Sequence, residues 1–146
     1  MQTLSKAWGL AGLRLGMAFA SEEIISIYNK VKPPYNISEA VQELVLKALY
    51  NMDDVNAMIK EIISERKKLE EDLLQLKVVE KIYPSDANFL LVKTIDAKAI
   101  YTYLIARGIV VRDRSNVKLC EGCLRITVGT SKENNELTAA LKDFTI

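Results

Sequence analysis

Two cationic side chains in this sequence have residue types and surroundings that suit chemistry. Lys6 lies beside Ser5 in an apolar, glycine-containing stretch, and Arg125 lies within the run LRITV at 124–128. A lysine that loses its hydration has a lowered pKa and becomes a nucleophile for carbonyl groups. An arginine held in a strand can bind a carboxylate or phosphate through its planar fork. A solvated Lys6 and an edge-strand Arg125 paired with an acid are the structural alternatives, and spacing alone favours them.

Histidine is absent from the chain, which removes the usual general base at neutral pH and the commonest metal ligand. Lys6 is then the best candidate for a general base. Cys120 and Cys123 form one Cys-x-x-Cys pair, without the second pair that a structural zinc requires. A strand follows the pair, whereas a thioredoxin-like motif opens a helix, so we expect two reduced thiols in an intracellular protein and no metal site.

The overall composition predicts a folded chain rather than a disordered or membrane-spanning one. Its 146 residues are 49% hydrophobic and 27% charged, with a net charge of +1. This charge balance gives no electrostatic reason to expect a nucleic-acid or membrane partner. Arg14 splits the apolar N-terminal stretch, so we predict neither a secretory signal nor a run of about 18 apolar residues that could span a bilayer.

The first half of the sequence predicts a loop, a short strand and three helices. Residues 1–13 show no regular period, and 15–20 are typical of a short buried strand. Ser21 caps a helix that runs to about Lys30, before Pro33 and Pro34. Asn36 or Ser38 opens the next helix, whose apolar stripe comprises Val41, Leu44, Val45, Ala48 and Leu49.

A heptad pattern then predicts one long helix over residues 53–76. Its seam contains a single charged interruption, at Arg66, and consists of Val55, Ile59, Ile62, Arg66, Leu69, Leu73 and Leu76. At 1.5 Å per residue such a helix is roughly 36 Å long, which suits an element that bridges parts of a molecule.

Strands alternate with helices in the rest of the chain, which predicts an α/β layer. The predicted elements are a strand at 88–94, a helix at 97–107 ended by Gly108, a strand at 109–112 and a strand at 124–130. Ser131 is predicted to cap a final helix that points Leu137, Ala140, Leu141 and Phe144 inward.

Several stretches resemble a known family when they are taken together. The run TLSKAWGLAGLRLG at 3–16 resembles the cofactor-lysine segment of pyridoxal-phosphate-dependent aminotransferases of fold type I. The runs SDANFL at 85–90, GIVVRD at 108–113 and GCLRITVGT at 122–130 resemble, in particular, the histidinol-phosphate aminotransferase family. The resemblance covers nearly the whole chain, and its motifs occur in the same order.

This resemblance implies a role for six residues. It makes Lys6 the residue that bonds to pyridoxal phosphate and transfers the substrate proton, with Ser5 and Arg14 contacting the cofactor phosphate. Arg125 would bind the anionic group of the substrate and Arg112 the substrate phosphate, while Asn88 would face the site. The implied reaction moves an amino group from histidinol phosphate to a 2-oxo acid, 2-oxoglutarate, in histidine biosynthesis, within a cytoplasmic homodimer.

Because such enzymes are more than twice as long, we interpret the chain as a C-terminal portion. The expected fold is the α/β small domain of a fold type I aminotransferase at 38–146, including the long helix, preceded by a remnant of the cofactor domain at 1–37. We expect this portion alone to bind the cofactor poorly and to lack turnover. The alternatives are another aminotransferase, a phosphate-ester decarboxylase, or a non-catalytic helical interaction module built on the heptads at 51–76.

Overall fold

The computed structural model describes residues 1–145 and contains two compact units. The first comprises Met1–Ile59, and the second begins at Lys60. The boundary lies inside one helix, whereas the predicted domain boundary at 37/38 concerns the longer protein and stays a prediction. None of the helices in residues 1–145 is both long and apolar enough to cross a membrane.

The first unit consists of a closed loop followed by helices. Strand β1 (Gln2–Thr3) pairs antiparallel with β2 (Gly16–Met17), and a short 3-10 turn (Ala11–Leu13) lies between them. Helix α1 (Glu22–Val31) and helix α2 (Glu39–Tyr50) follow, and then the long helix α3 (Met52–Leu74) begins.

Capping residues explain where α1 and α2 begin and confirm the predictions for both. Ser21 has the extended backbone of an N-cap, and two acidic residues follow it in the first turn of α1. The Ser38 hydroxyl accepts a hydrogen bond from the Val41 N–H at 3.4 Å, so Ser38, rather than Asn36, opens α2.

The prediction of a buried strand at 15–20 is wrong. Only Gly16 and Met17 are in a strand, both are exposed, and Phe19 is 76% exposed. An apolar run becomes a buried strand only where a partner strand and a covering layer are available, and here the partner is two residues long. The predicted stripe of α2 is likewise buried only at Val45.

Helix α3 confirms the predicted long helix and shows what its apolar seam packs against. Its 23 residues correspond to about 35 Å. Leu69 and Leu73 of the helix and Leu76 just beyond it are buried in the core of the second unit. Burial against the same chain is the role of this half of the seam, which argues against a free coiled-coil module.

The second unit is a four-stranded antiparallel sheet covered by helices. Its strands are β3 (Val79–Tyr83), β4 (Phe89–Thr94), β5 (Arg112–Asp113) and β6 (Cys123–Thr127), in the spatial order β3-β4-β6-β5. Helices α4 (Ala97–Ala106) and α5 (Ser131–Lys142) follow β4 and β6. The apolar core contains Leu90, Val92, Leu124 and Ile126 of the two central strands, together with Ile100, Leu104, Leu137 and Leu141 of the helices.

The end of α4 confirms the role predicted for Gly108. Its φ of 75° is a left-handed conformation, its N–H bonds to the Ile105 carbonyl, and the Ile109 N–H bonds to the Leu104 carbonyl. These two bonds satisfy carbonyls that the helix end leaves free.

Two local predictions need correction, and one strand lacks a prediction. The strand expected at 109–112 is confined to Arg112–Asp113, and β3 was not predicted because a bulge between Val79 and Lys81 breaks its alternation. The cap of α5 is Thr130, not Ser131. Thr130 and Glu133 form a reciprocal capping box.

Candidate functional site

The loop that carries Lys6 is held by hydrogen bonds at both ends. The Leu4 N–H donates to the Leu15 carbonyl at 3.3 Å, and the Leu10 N–H donates to the Leu4 carbonyl at 3.1 Å. The Lys6 carbonyl accepts from the Gly9 N–H at 2.9 Å. Leu4 is buried while Lys6 is exposed, which agrees with the solvated alternative for Lys6 and not with a desolvated amine. The backbone of Lys6 is fixed and its side chain faces outward.

Ser5 and Arg14 lie on the same closed loop as Lys6. The Thr3 hydroxyl donates to the Ser5 hydroxyl oxygen at 2.9 Å and accepts from the Ser5 N–H at 3.1 Å. Arg14 adopts a left-handed φ of 53°, and its Nη1 donates to the Ala11 carbonyl at 3.0 Å. Ser5 keeps a hydroxyl proton to donate, and Arg14 keeps most of its five donors, which are the groups that bind a phosphate.

Arg125 lies on the sheet face opposite the apolar core. It is half-buried on the interior strand β6, and its neighbours Leu124 and Ile126 point into the core, as the alternation predicts. The guanidinium carbon lies 5.0 Å from the centroid of the Phe89 ring. Within residues 1–145, the buried Nε atom has no hydrogen-bond partner. The alternative of an edge-strand arginine paired with an acid is therefore wrong.

Arg112 is the cross-strand partner of Arg125. The two residues stand directly opposite each other in the β5–β6 ladder, and Arg112 is exposed. In the part of the chain that the structure describes, no carboxylate lies within 4 Å of either guanidinium. Like charges opposite each other across a ladder are destabilising. An anion bound between the two arginines would remove that repulsion, which makes this sheet face an anion-binding candidate.

Asn88 lies just before β4, at the end of the same ladder. Its carbonyl accepts a hydrogen bond from the Val128 N–H at 2.9 Å, and its side chain is exposed. Phe89, the next residue, was not predicted as part of the site. Its only sequence signal is its place in the SDANFL run, because a cross-strand contact between Phe89 and Arg125 depends on the strand register.

Asp113, which follows Arg112, supplies a negative charge at the end of β5. Hydrogen bonds from Ser115, first from its side chain and then from its backbone N–H, lower the pKa of the Asp113 carboxyl. Its Oδ1 accepts from the Ser115 N–H at 2.8 Å. The Asp113 carboxylate therefore accepts its hydrogen bonds from Ser115, within its own turn.

Cys123 of the cysteine pair lies in an environment that disfavours reactivity. Both thiols are free, and Cys123 is fully buried at the start of β6. Burial, and then the neighbouring Cys120, raise the pKa of the Cys123 thiol, so it remains protonated at neutral pH. A protonated thiol is a poor nucleophile and a poor metal ligand.

The candidate residues fall into two sets, one in each compact unit. Lys6, Ser5 and Arg14 share the loop of the first unit, while Asn88, Arg112 and Arg125 share one sheet of the second. The first set offers an amine and phosphate-binding donors, and the second offers two guanidinium groups. Hydroxyl and guanidinium groups are donors that bind phosphate and carboxylate oxygens.

Comparisons with known proteins match nearly the whole chain. The family model for class I and II aminotransferases matches residues 1–141. The chain is 52% identical, over 144 residues, to the histidinol-phosphate aminotransferase of Cytophaga hutchinsonii, covering 99% of this chain and 41% of that protein.

Solved structures match over the same extent. A putative aminotransferase from Burkholderia pseudomallei aligns with a TM-score of 0.88 at 31% identity, covering 96% of this chain and 42% of that chain. Histidinol-phosphate aminotransferase from Sinorhizobium meliloti, in complex with pyridoxal-5'-phosphate, aligns with a TM-score of 0.80 at 26% identity, covering 97% and 39%. The chain spans about two-fifths of the length of the curated relatives that it matches.

Proposed function

Because this chain belongs to the class I and II aminotransferase family, we propose that it is part of a pyridoxal-phosphate-dependent transaminase that acts on histidinol phosphate and 2-oxoglutarate. The identity of about half to the curated relatives supports this substrate pair over that of another aminotransferase. The observation that carries the proposal is the pair of opposed arginines, Arg112 and Arg125, without an acidic partner in residues 1–145.

In this proposal the loop of the first unit holds the cofactor. Lys6 provides the amine for covalent attachment, while Ser5 and Arg14 donate hydrogen bonds to the cofactor phosphate. When bound, pyridoxal phosphate supplies the electron sink that weakens the bond between the substrate Cα and its hydrogen. The hydrogen bonds of the loop fix the backbone from which the Lys6 side chain extends, and its Nζ would accept that proton and return it, which is general acid–base catalysis.

The sheet of the second unit binds the substrate. Arg125, half-buried and fixed by β6, binds the anionic group of the substrate, which is the phosphate of histidinol phosphate or a carboxylate of 2-oxoglutarate. Arg112, opposite it in the ladder, is a second contact for the substrate phosphate. Asn88 faces the same site. A guanidinium held on a strand orients an anion more rigidly than one on a loop, so the substrate Cα is presented in one geometry.

The complete protein, in this proposal, is a cytoplasmic homodimer. Residues 1–37 belong to its cofactor domain and 38–146 to its small domain, whose first helix, α2, has Ser38 as its N-cap. The remaining cofactor contacts come from the part of the enzyme that this chain does not include.

Substitution of Lys6 in the complete enzyme tests the proposal. Lys6→Ala should abolish the visible absorbance of the lysine-bound cofactor and reduce turnover by at least about 1,000-fold, because attachment and proton transfer both depend on the amine. The measurements are the absorption spectrum and the 2-oxoglutarate-dependent loss of histidinol phosphate. Lys32→Ala, another exposed lysine of the first unit, is the matched control and should behave as the unaltered enzyme.

Two outcomes would contradict the proposal. Normal turnover by Lys6→Ala would remove Lys6 from its role. Release of carbon dioxide from a phosphate-ester amino acid, without dependence on 2-oxoglutarate, would assign the enzyme to the decarboxylases instead.

A further inference from the structure

Arg66 is the charged residue that interrupts the apolar seam of α3, and the structure shows what it holds. Its side chain is only 14% exposed. Its Nη1 donates to the Ala87 carbonyl at 2.8 Å, and its Nη2 lies 3.9 Å from the Asp86 carboxylate. Because the Asp86 side chain is fully exposed, that ion pair contributes little. The hydrogen bond to the Ala87 carbonyl, made by a charged and half-buried donor, is the main contact.

The turn that Arg66 holds is itself closed by Ser85. The Ser85 hydroxyl donates to the Phe89 carbonyl at 2.7 Å and accepts from the Ala87 N–H at 3.2 Å. The Arg66 guanidinium, the turn at 85–88 and the first residue of β4 therefore form one connected set of hydrogen bonds. These bonds connect the position of Ala87 to the backbone of Phe89 through the Ser85 hydroxyl.

Phe89 is also the aromatic neighbour of Arg125. Its ring centroid lies 5.0 Å from the guanidinium carbon, a distance at which a cation is attracted to the ring face. Arg112, opposite Arg125 in the ladder, repels the same guanidinium. The Phe89 ring is thus a contact that keeps the Arg125 guanidinium in its observed position.

We propose that Arg66 is a positioning residue for Arg125, acting through the 85–88 turn and the Phe89 ring. The inference rests on the proposed function, in which Arg125 binds the anionic group of the substrate. Arg66 touches neither substrate nor cofactor in this arrangement. It sets the position of the guanidinium that does so, and its effect is on substrate affinity rather than on proton transfer.

Steady-state kinetics of the complete enzyme can test the positioning role. Arg66→Met keeps most of the packing of the side chain and removes the donor to Ala87. We expect KM for histidinol phosphate to rise about tenfold while kcat stays within about twofold, since the interaction lost is made equally in ground and transition states. Arg66→Lys, which retains one charged donor, should recover part of the affinity.

Two control variants separate positioning from stability. Asp86→Asn removes only the exposed ion pair and should leave KM unchanged. Ile100→Val shortens a fully buried core residue of α4 and should lower Tm without changing KM. An equal rise of KM in Ile100→Val would show that general destabilisation, not the Arg66 contact, controls affinity.

A double-mutant cycle tests the route through Phe89. If Arg66 acts through the ring, Arg66→Met in a Phe89→Leu background should raise KM by less than about twofold further. If KM of the double variant rises by the product of the two single-variant increases, the two residues act independently and the proposal is overturned. If Arg66→Met does not fold, the same cycle with Arg66→Lys decides the question.

The outcome for Arg125 distinguishes the two proposals. Loss of affinity in Arg125→Ala together with an unchanged KM in Arg66→Met would refute the positioning role and leave the proposed function intact. An unchanged KM in Arg125→Ala would refute the substrate-binding role itself.

Discussion

Arg125 owes its suitability for anion binding to the strand that carries it. On an interior strand the backbone is fixed by ladders on both sides, and the side chain is half-buried. Its buried Nε has lost water without a protein partner in residues 1–145, which is costly for a charged group. An anion that accepts hydrogen bonds from this guanidinium would offset the free energy of that desolvation. It would also reduce the electrostatic repulsion between Arg125 and Arg112.

Truncation of Arg125 should therefore impair substrate use much more than it impairs folding. We expect Arg125→Ala in the complete enzyme to lower kcat/KM for histidinol phosphate by about 30-fold or more, the range for removing one partner of a buried charge pair. Bound cofactor, measured by its absorption spectrum, should remain.

The matched control is Arg107→Ala. Arg107 also lies against an aromatic ring, with its guanidinium carbon 3.6 Å from the centroid of Tyr103, but it is exposed at the end of α4. Its removal should leave kcat/KM within about twofold. Equal losses in both variants would mean that arginine removal acts through stability rather than through substrate binding.

At the scale of elements, the residues that cap helices and the apolar seam of α3 could be predicted from the sequence. The extent of strand pairing in the sheet could not. Ser21, Ser38 and Gly108 mark helix ends through local backbone chemistry, so their positions are readable along the chain. Strand β3 and the shortened β5 depend on a bulge and on how far a partner strand continues. The Thr-x-x-Glu spacing of Thr130 and Glu133 is a sequence signal for the cap of α5, although the adjacent Ser131 has an equally suitable residue type for a cap.

The candidate site likewise combines features that could be predicted from the sequence with features that depend on folding. Residue types and resemblance select Lys6, Arg112 and Arg125, but exposure and cross-strand neighbours come from folding. The exposed state of Lys6 and the contact between Phe89 and Arg125 are both results of three-dimensional packing.

The capping box of α5 should make stability depend on acidic pH. Hydrogen bonds from the Thr130 backbone N–H, and then from its hydroxyl, lower the pKa of the Glu133 carboxyl below its ordinary value of 4.5. The folded state therefore favours the ionised form, so this stabilisation is complete above pH 4.5 and is lost as the pH falls through the lowered pKa.

Urea unfolding of the chain between pH 7 and pH 3 can measure this contribution. Glu133→Gln can still accept hydrogen bonds but does not titrate, so the parent chain should be the more stable of the two at pH 7, and the difference should shrink toward pH 3. A difference that does not change with pH would show that the Glu133 carboxylate does not stabilise α5.

At the scale of the whole molecule, this chain holds residues of both proposed binding sets but only part of the enzyme. The relatives that it matches are about two and a half times as long. In the proposed function Lys6, Ser5 and Arg14 supply attachment and phosphate contacts, while the contacts to the cofactor ring and its nitrogen come from residues outside this chain.

The isolated chain should therefore bind pyridoxal phosphate weakly and turn over no substrate. Titration of the 146-residue chain with pyridoxal phosphate, followed by visible absorbance, should show affinity at least about 100-fold below that of the complete enzyme, since several charged and stacking contacts are missing. Full transaminase activity from these residues alone would refute this prediction.

The position of the unit boundary within α3 has a practical consequence for dissecting the protein. The division after Ile59 crosses an uninterrupted ladder of i to i−4 hydrogen bonds in Met52–Leu74. A truncation that starts at Lys60 would create a fresh helix terminus with four orphan amides and no capping side chain, and would invite fraying toward Leu69. Starting at Asn51 instead preserves the native beginning of the helix, so the excised piece retains its first turn.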